Sequence, residues 1–317
     1  MRPIQGLHHI TAVASDPQAN VDFYVDVLGQ RLVKTTVNFD DPGTYHLYYG
    51  DEVGTPGTAL TFFPWRHMHR GRIGSGETSA MAYAVRPESL NWWRERLRAH
   101  DVTVFEPGKR FGEEVLQFED PDGMTVEIVG TNDPSTIRHW QEGPIPEDHA
   151  LRGFHSVTLL LERVEGTSEV LTDQLGYVLH GQEGDRYRYR GASDDRGLYI
   201  DLEIRPGTGR GTFGAGSIHH IAFRTVDDDE QIEYLHALRG AGLQVTPVQD
   251  RQYFHSIYFR EPGGVLFEVA TDAPGFTLDE TVESLGTALK LPAWYERMRQ
   301  QIEARLPAIE RKTYSKS

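Results

Sequence analysis

Metal chemistry in this sequence must use imidazole and carboxylate, because its 317 residues include 14 histidines and 47 acidic residues but no cysteine. The same absence excludes disulfides, thiolate nucleophiles, iron–sulfur clusters and cysteine-ligated zinc. Histidine doublets occur at His8-His9, within Gly-Leu-His-His-Ile-Thr, and at His219-His220, within Ser-Ile-His-His-Ile-Ala. Glu268 stands in the apolar run Val265–Ala270, where an unpaired ionised carboxylate would be costly and a cation would relieve the cost. Two histidines and one carboxylate, with coordination positions left open, are the ligand set of non-haem Fe(II) oxygenases.

Side chains alternate across a strand, so only one member of each doublet should face a given ion. His9 shares its face with Thr11 and His220 shares its face with Ala222, whereas His8 and His219 share theirs with Ile10, Ile221 and Phe223. Parity therefore selects His9, His220 and Glu268 as ligands and puts His8 and His219 on the core-like side. His155 aligns with the first member of each doublet, Ser156 with the presumed ligand, and by the same rule His155 faces away. Glu127 and Glu203 are read at the repeat position of Glu268, but their opening strands supply no second ligand. His67 and His69 fall in a Gly- and Arg-rich stretch that reads as an exposed loop, and His255 lies on the strand face opposite Tyr258.

The elements that position these groups form a repeat. Glu119-Asp-Pro-Asp-Gly-Met-Thr-Val-Glu127 and Arg260-Glu-Pro-Gly-Gly-Val-Leu-Phe-Glu268 share a Pro/Gly turn followed by a strand carrying a glutamate. Each closing follows an opening strand and an amphipathic helix, giving four βαβββ modules of about 55 residues. One such sheet cannot cover both of its faces, so an α+β fold of paired, cupped mixed sheets with helices outside is expected. The chain divides into an N-terminal domain (1–131) with two modules and a Pro/Gly-rich linker (132–152) that contains Pro134, Pro144 and Pro146. A C-terminal domain with two more modules (153–272) and a helical tail (273–317) follow, with a helix starting at Pro292 expected to pack on the body through Trp294, Met298, Ile302 and Leu306. A formal charge of −15 argues against nucleic acid and anionic membranes as partners. With no apolar targeting or membrane-spanning run in view, the reading is cytoplasmic.

At this level of detail the chain resembles the vicinal-oxygen-chelate superfamily, which groups glyoxalases, bleomycin-resistance proteins and extradiol dioxygenases. Within it the resemblance is to hydroquinone-type ring-cleaving dioxygenases. It spans nearly the whole chain and is carried by Gly6–Ala12, Gly216–Phe223, Asp250–Ala270 and the tail segment Leu285-Gly-Thr-Ala-Leu-Lys-Leu-Pro292. The resemblance implies Fe(II), with Mn(II) as a substitute, on His9, His220 and Glu268. It implies a small aromatic substrate and dioxygen as the reacting partners. It also places His8, Thr11, His219, Arg251 and Tyr258 around the substrate, which agrees with parity for His8 and His219 only if strand twist or a bulge swings them round. Two alternatives stay open: a glyoxalase-type lyase or isomerase, which would need a fourth protein ligand, and a non-catalytic binding protein of the bleomycin-resistance type. The aromatic substrate and the oligomeric state are not specified by these motifs.

Overall fold

A computed structural model of the chain describes residues 1–133, 136–312 and 314. Pro134, one of the prolines that mark the linker, lies outside the described residues. Each module builds four strands around one helical segment. The first contains β1 (Leu7–Ala14), β2 (Arg31–Val37), β3 (Tyr45–Gly50) and β4 (Ala59–Pro64). The second contains β5 (Glu77–Val85), β6 (Gly108–Arg110), β7 (Glu113–Glu119) and β8 (Thr125–Gly130). The third contains β9 (Phe154–Leu161), β10 (Val178–Glu183), β11 (Arg186–Arg190) and β12 (Tyr199–Ile204), and the fourth β13 (Ile218–Thr225), β14 (Gln249–Asp250), β15 (Phe254–Arg260) and β16 (Leu266–Pro274).

In every module the opening strand lies parallel to the closing strand, and the closing strand pairs antiparallel with the one before it. Opening strands then meet in antiparallel pairs, β1 with β13 and β5 with β9, producing two eight-stranded mixed sheets. One sheet runs β14-β15-β16-β13-β1-β4-β3-β2 and the other β10-β11-β12-β9-β5-β8-β7-β6. Each sheet thus takes one module from either side of the linker. The first and fourth modules share a sheet, as do the second and third, so the division of the chain at 132–152 is not the division of the sheets. This pairing is what carries the two ends of the polypeptide to one place.

The helices show how sequence sets the outer layer. α1 (Pro17–Val21) opens with Pro17 in its first turn and with the Asp16 carboxylate accepting from Ala19 N at 2.8 Å, then widens into a π-helical turn over Asp22–Val27. Gly29 follows at φ 67°, a conformation that favours glycine, and a Cβ there would collide with the Ile145 side chain. α2 (Leu90–Ala99) buries Leu90, Trp93 and Leu97 at helical spacing, each contributing roughly 2 kcal/mol of apolar burial. α3 (Thr167–Glu169) repeats the π-helical continuation over Val170–Gln174, and α4 (Asp228–Gly240) is capped by Asp227, which accepts from Glu230 N at 2.9 Å. Within α4, buried Gln231 donates to the carbonyls of His255 and Val269, fastening the helix to β15 and β16.

The tail departs from expectation. Its helix α5 covers Arg299–Glu303, preceded by a single 3-10 turn, rather than starting at Pro292. Ile302 does pack against Val37 and Leu291, whereas Trp294 and Met298 are exposed. Among the described residues no helix is long and apolar enough to cross a membrane.

Candidate metal centre and its cavity

β1 and β13 sit side by side at the middle of their sheet, and their register slips at both doublets. Leu7 pairs with Phe223 and His9 with Ala222, leaving His8 as an extra residue; Thr11 pairs with His220 and Ala12 with Ile218, leaving His219 over. Each doublet therefore carries a one-residue bulge at its first histidine. The bulges bring neighbouring rings together where alternation would have set them on opposite faces. His8 Nδ1 lies 2.9 Å from His9 Nδ1, and His219 Nδ1 lies 2.7 Å from His220 Nδ1. Parity thus misplaces His219, which lines the same cavity as His9 and His220, whereas His8 is not among the residues lining it and is buried against Phe254.

His9, His220 and Glu268 converge, all three buried. Glu268 Oε2 is 2.8 Å from His220 Nε2 and 3.2 Å from His9 Nε2, and the two imidazole nitrogens are 3.4 Å apart. Metal–ligand bonds of about 2.1 Å meeting near right angles would hold donors about 3 Å from one another. Glu268 Oε1 accepts from the hydroxyl of buried Ser256. Oε2 has no aligned hydrogen bond despite its two close nitrogens. That orphaned oxygen, fully buried and facing two imidazole nitrogens, is the arrangement a divalent cation completes. Burial opposes the ionisation of Glu268, but His9 and His220 outweigh it and hold its pKa well below the ordinary carboxylate value. Burial likewise lowers the pKa of His220, with Glu268 opposing the shift.

The centre opens on a cavity of about 460 Å³. Phe63, Trp65, Phe254 and Leu266 give it apolar walls, and Thr11, His46, Tyr48, His219, Arg251 and Tyr258 supply polar groups. Arg251 Nε donates to Tyr258 Oη at 3.2 Å, and burial together with the charge of Glu268 pushes the Tyr258 hydroxyl well above its usual pKa. Burial, then the neighbouring His220, pushes His219 down to about 3. Tyr258 consequently stays protonated and His219 neutral at neutral pH.

Sequence reasoning missed Ser256, His46, Tyr48 and the bond between Thr11 and Thr61. Ser256 had a usable signal, since it stands two residues before Tyr258 and so shares its strand face. It also assigned Glu203 to the repeat position of Glu268. Register shows otherwise: Thr158 lies opposite Asp201 as Ala222 lies opposite Glu268, so the equivalent residue is Asp201. His155 does not face away, because a matching bulge at the β5–β9 pairing turns it to Glu113 at 3.1 Å. His67 and His69 are exposed, and His255 bonds Asp228 at 2.6 Å away from the cavity. A second group with spacing suited to a metal, Glu113, Asp133 and His155, has its glutamate already bonded by Arg188 at 2.7 Å.

The sequence and the fold were compared with known proteins. The model of the Glyoxalase/Bleomycin resistance protein/Dioxygenase superfamily matches residues 6–128 and again 132–269. MhqO of Bacillus subtilis, provisionally named a ring-cleaving dioxygenase, is 48% identical over 305 residues, covering 96% of either chain. The chlorohydroquinone/hydroquinone 1,2-dioxygenase of Sphingobium indicum is 40% identical over 309 residues, 94% of this chain and 95% of that one. A crystal structure from Bacillus subtilis, provisionally titled a dioxygenase, superposes with a TM-score of 0.94 at 47% identity, covering 98% of this chain and 99% of the other.

Proposed function

The chain belongs to the glyoxalase, bleomycin resistance protein and dioxygenase superfamily, and we propose that within it this protein is an Fe(II)-dependent, extradiol-type ring-cleaving dioxygenase acting on a hydroquinone or related dihydroxylated aromatic. The observation that carries the reading is the trio of donors about 3 Å apart, two imidazole and one carboxylate, on one side of a cavity with aromatic walls. His9, His220 and Glu268 would hold the iron, which Mn(II) could replace, leaving the cavity side open to substrate and dioxygen. Bound there, Fe(II) supplies the electron relay between an aromatic ring and dioxygen that spin rules otherwise make slow.

The remaining residues bind and orient. With Nε2 of His9 and of His220 directed to the cation, each ring keeps its proton on Nδ1 and donates it to Nδ1 of the preceding histidine. His8 and His219 thereby fix tautomer and ring orientation. His219 must then carry its own proton on Nε2, where it can be offered to substrate. Tyr258, receiving a bond from Arg251 and kept protonated, would turn its hydroxyl hydrogen to a developing oxyanion, and Arg251 adds positive charge beside it. Aromatic walls sort for a flat ring. A reducing cytoplasm, where Fe(II) persists, suits the reading.

The test is anaerobic loading with Fe(II), followed by oxygen-electrode assay with hydroquinone, substituted hydroquinones and catechol. The expected result is uptake of one dioxygen per hydroquinone, with loss of ring absorbance. No oxygen uptake by the iron-loaded protein with any of these substrates would refute it.

A further inference from the structure

Opposite the carboxylate side of the cavity, a line of hydrogen bonds runs straight across three strands. Thr11 Oγ1 on β1 lies 2.9 Å from Thr61 Oγ1 on β4, Thr61 Oγ1 lies 2.9 Å from His46 Nε2, and His46 Nδ1 lies 2.8 Å from Tyr48 Oη, both on β3. Thr61 occupies in the first module the position that Glu268 occupies in the fourth, since Thr11 faces Thr61 as Ala222 faces Glu268. Where one module offers a ligand, its partner offers a hydroxyl. Thr11, His46 and Tyr48 line the cavity, and Thr61 is fully buried.

The chain can run in either of two directions, and each leaves one hydroxyl hydrogen over at an end that lines the cavity, Thr11 in one and Tyr48 in the other. Burial, reinforced by His9 and His220, holds the His46 pKa well below its usual value, so the ring is neutral with a single N–H. Burial keeps Tyr48 protonated. Were His46 to donate to Tyr48, the hydrogen left over would be the phenolic one; an oxyanion lodged beside Thr11 favours the opposite sense, in which Tyr48 donates to Nδ1. His46 then donates from Nε2 to Thr61, and Thr61 donates to Thr11. The Thr11 hydrogen is the one left over, and it is available to the cavity beside the two imidazoles.

We propose that Tyr48, His46 and Thr61 are positioning residues that present Thr11 to the bound ring as a hydrogen-bond donor, and so select the phenolate form of an aromatic hydroxyl lodged next to His9 and His220. The inference rests on the reading of the cavity as a site for phenolic rings. A donor delivered by neutral groups lowers the energy of an oxyanion without burying a further charge. Ionisation of the substrate hydroxyl, with its proton released to solvent, is thereby favoured on binding, before any ring chemistry, and this contribution of the protein adds to that of the ion.

The test uses 4-nitrophenol, whose phenol and phenolate forms absorb at different wavelengths, titrated by pH on the full-length protein loaded with Fe(II) under anaerobic conditions. Wild type should bind the phenolate below the pH at which free 4-nitrophenol ionises. In Thr61→Val, which keeps the side-chain shape, that apparent ionisation should rise by about one pH unit, equivalent to roughly tenfold weaker phenolate binding. Tyr48→Phe should shift it the same way, and Thr61→Ser should restore wild-type behaviour. Iron content and thermal midpoint serve as controls that the variants remain folded and loaded. If Thr61→Val and Tyr48→Phe titrate as wild type while wild type binds the probe, the positioning chain is wrong and the proposed activity stands. If loaded wild type binds no 4-nitrophenol, the cavity is not a phenol site and the inference falls with its premise.

Discussion

The two sheets have the same strand order and related bulges, yet one can accept a metal ion at its centre and the other has already neutralised itself. In the first sheet His9, His220 and Glu268 meet; the equivalent residues of the second are Ser156, Ala80 and Glu127. Glu127 is bonded to Arg110 in place of imidazole, and Asp201, the counterpart of Thr61, receives Arg188 at 2.8 and 3.0 Å and Arg186 at 3.3 Å. A carboxylate at this depth requires positive charge. A guanidinium supplies it permanently, while two imidazoles leave the position to an exchangeable cation. Ser156 and Ala80 in place of histidines separate a structural sheet from a reactive one.

The sharpest break of that comparison is Glu268→Gln. Loss of the anionic ligand should remove bound iron and lower ring-cleaving activity by roughly a thousandfold or more, read as metal content and oxygen uptake. A variant that keeps both would show that the first sheet, too, is only structural. Tyr258→Phe should leave iron content intact and cut kcat by about a hundredfold, the usual effect of deleting one oxyanion donor.

Legibility of this site in the sequence followed the range of the forces that build it. The doublets and the glutamate were readable because each sits in a local motif that occurs twice, with alternation selecting His9 and His220 over their neighbours. The bulges were not, because they arise from the register between β1 and β13, strands some two hundred residues apart. His219 was misplaced for that reason. Asp201 and Glu203 share one strand face, so parity cannot choose between them, and only the pairing of β12 with β9 does. The four modules were legible from repeated turns and helices, whereas the union of the first module with the fourth was implied only by assigning His9, His220 and Glu268 to one ion, the strand pairing itself being encoded in no local pattern. The tail helix was overextended because Pro292 looked like an N-terminal helical position, while Trp294 meets only the edge of Phe39 and, like Met298, stays largely exposed.

Smaller effects are expected from the second sheet. Asp201→Ala would leave Arg188 and Arg186 short of a buried partner and should cost about 3 kcal/mol of stability, measured by urea unfolding, with oxygen uptake per folded molecule unchanged. A drop in activity of the folded fraction would mean the two sheets are chemically coupled. Glu113→Gln probes the same sheet through pH. Burial resists ionisation of Glu113, but bonds from His155 and Arg188 prevail and lower its pKa from 4.5 to about 2. A depressed carboxylate pKa stabilises the fold fully above the unfolded-state value, and that stability is lost as pH falls through the folded value. The wild-type advantage over Glu113→Gln, about 2 kcal/mol at neutral pH, should therefore shrink between pH 4.5 and 2. Thermal midpoints of both proteins across that range would show it, and a gap that widens with acid would contradict it.

On the reading proposed here, side chains from opposite ends of the polypeptide share one ion. Anomalous diffraction at the iron edge, from crystals grown anaerobically with Fe(II), addresses it most directly. A single strong peak is expected about 2.1 Å from His9 Nε2, His220 Nε2 and Glu268 Oε2. A peak instead among Glu113, Asp133 and His155, or none within bonding distance of Glu268, would contradict it.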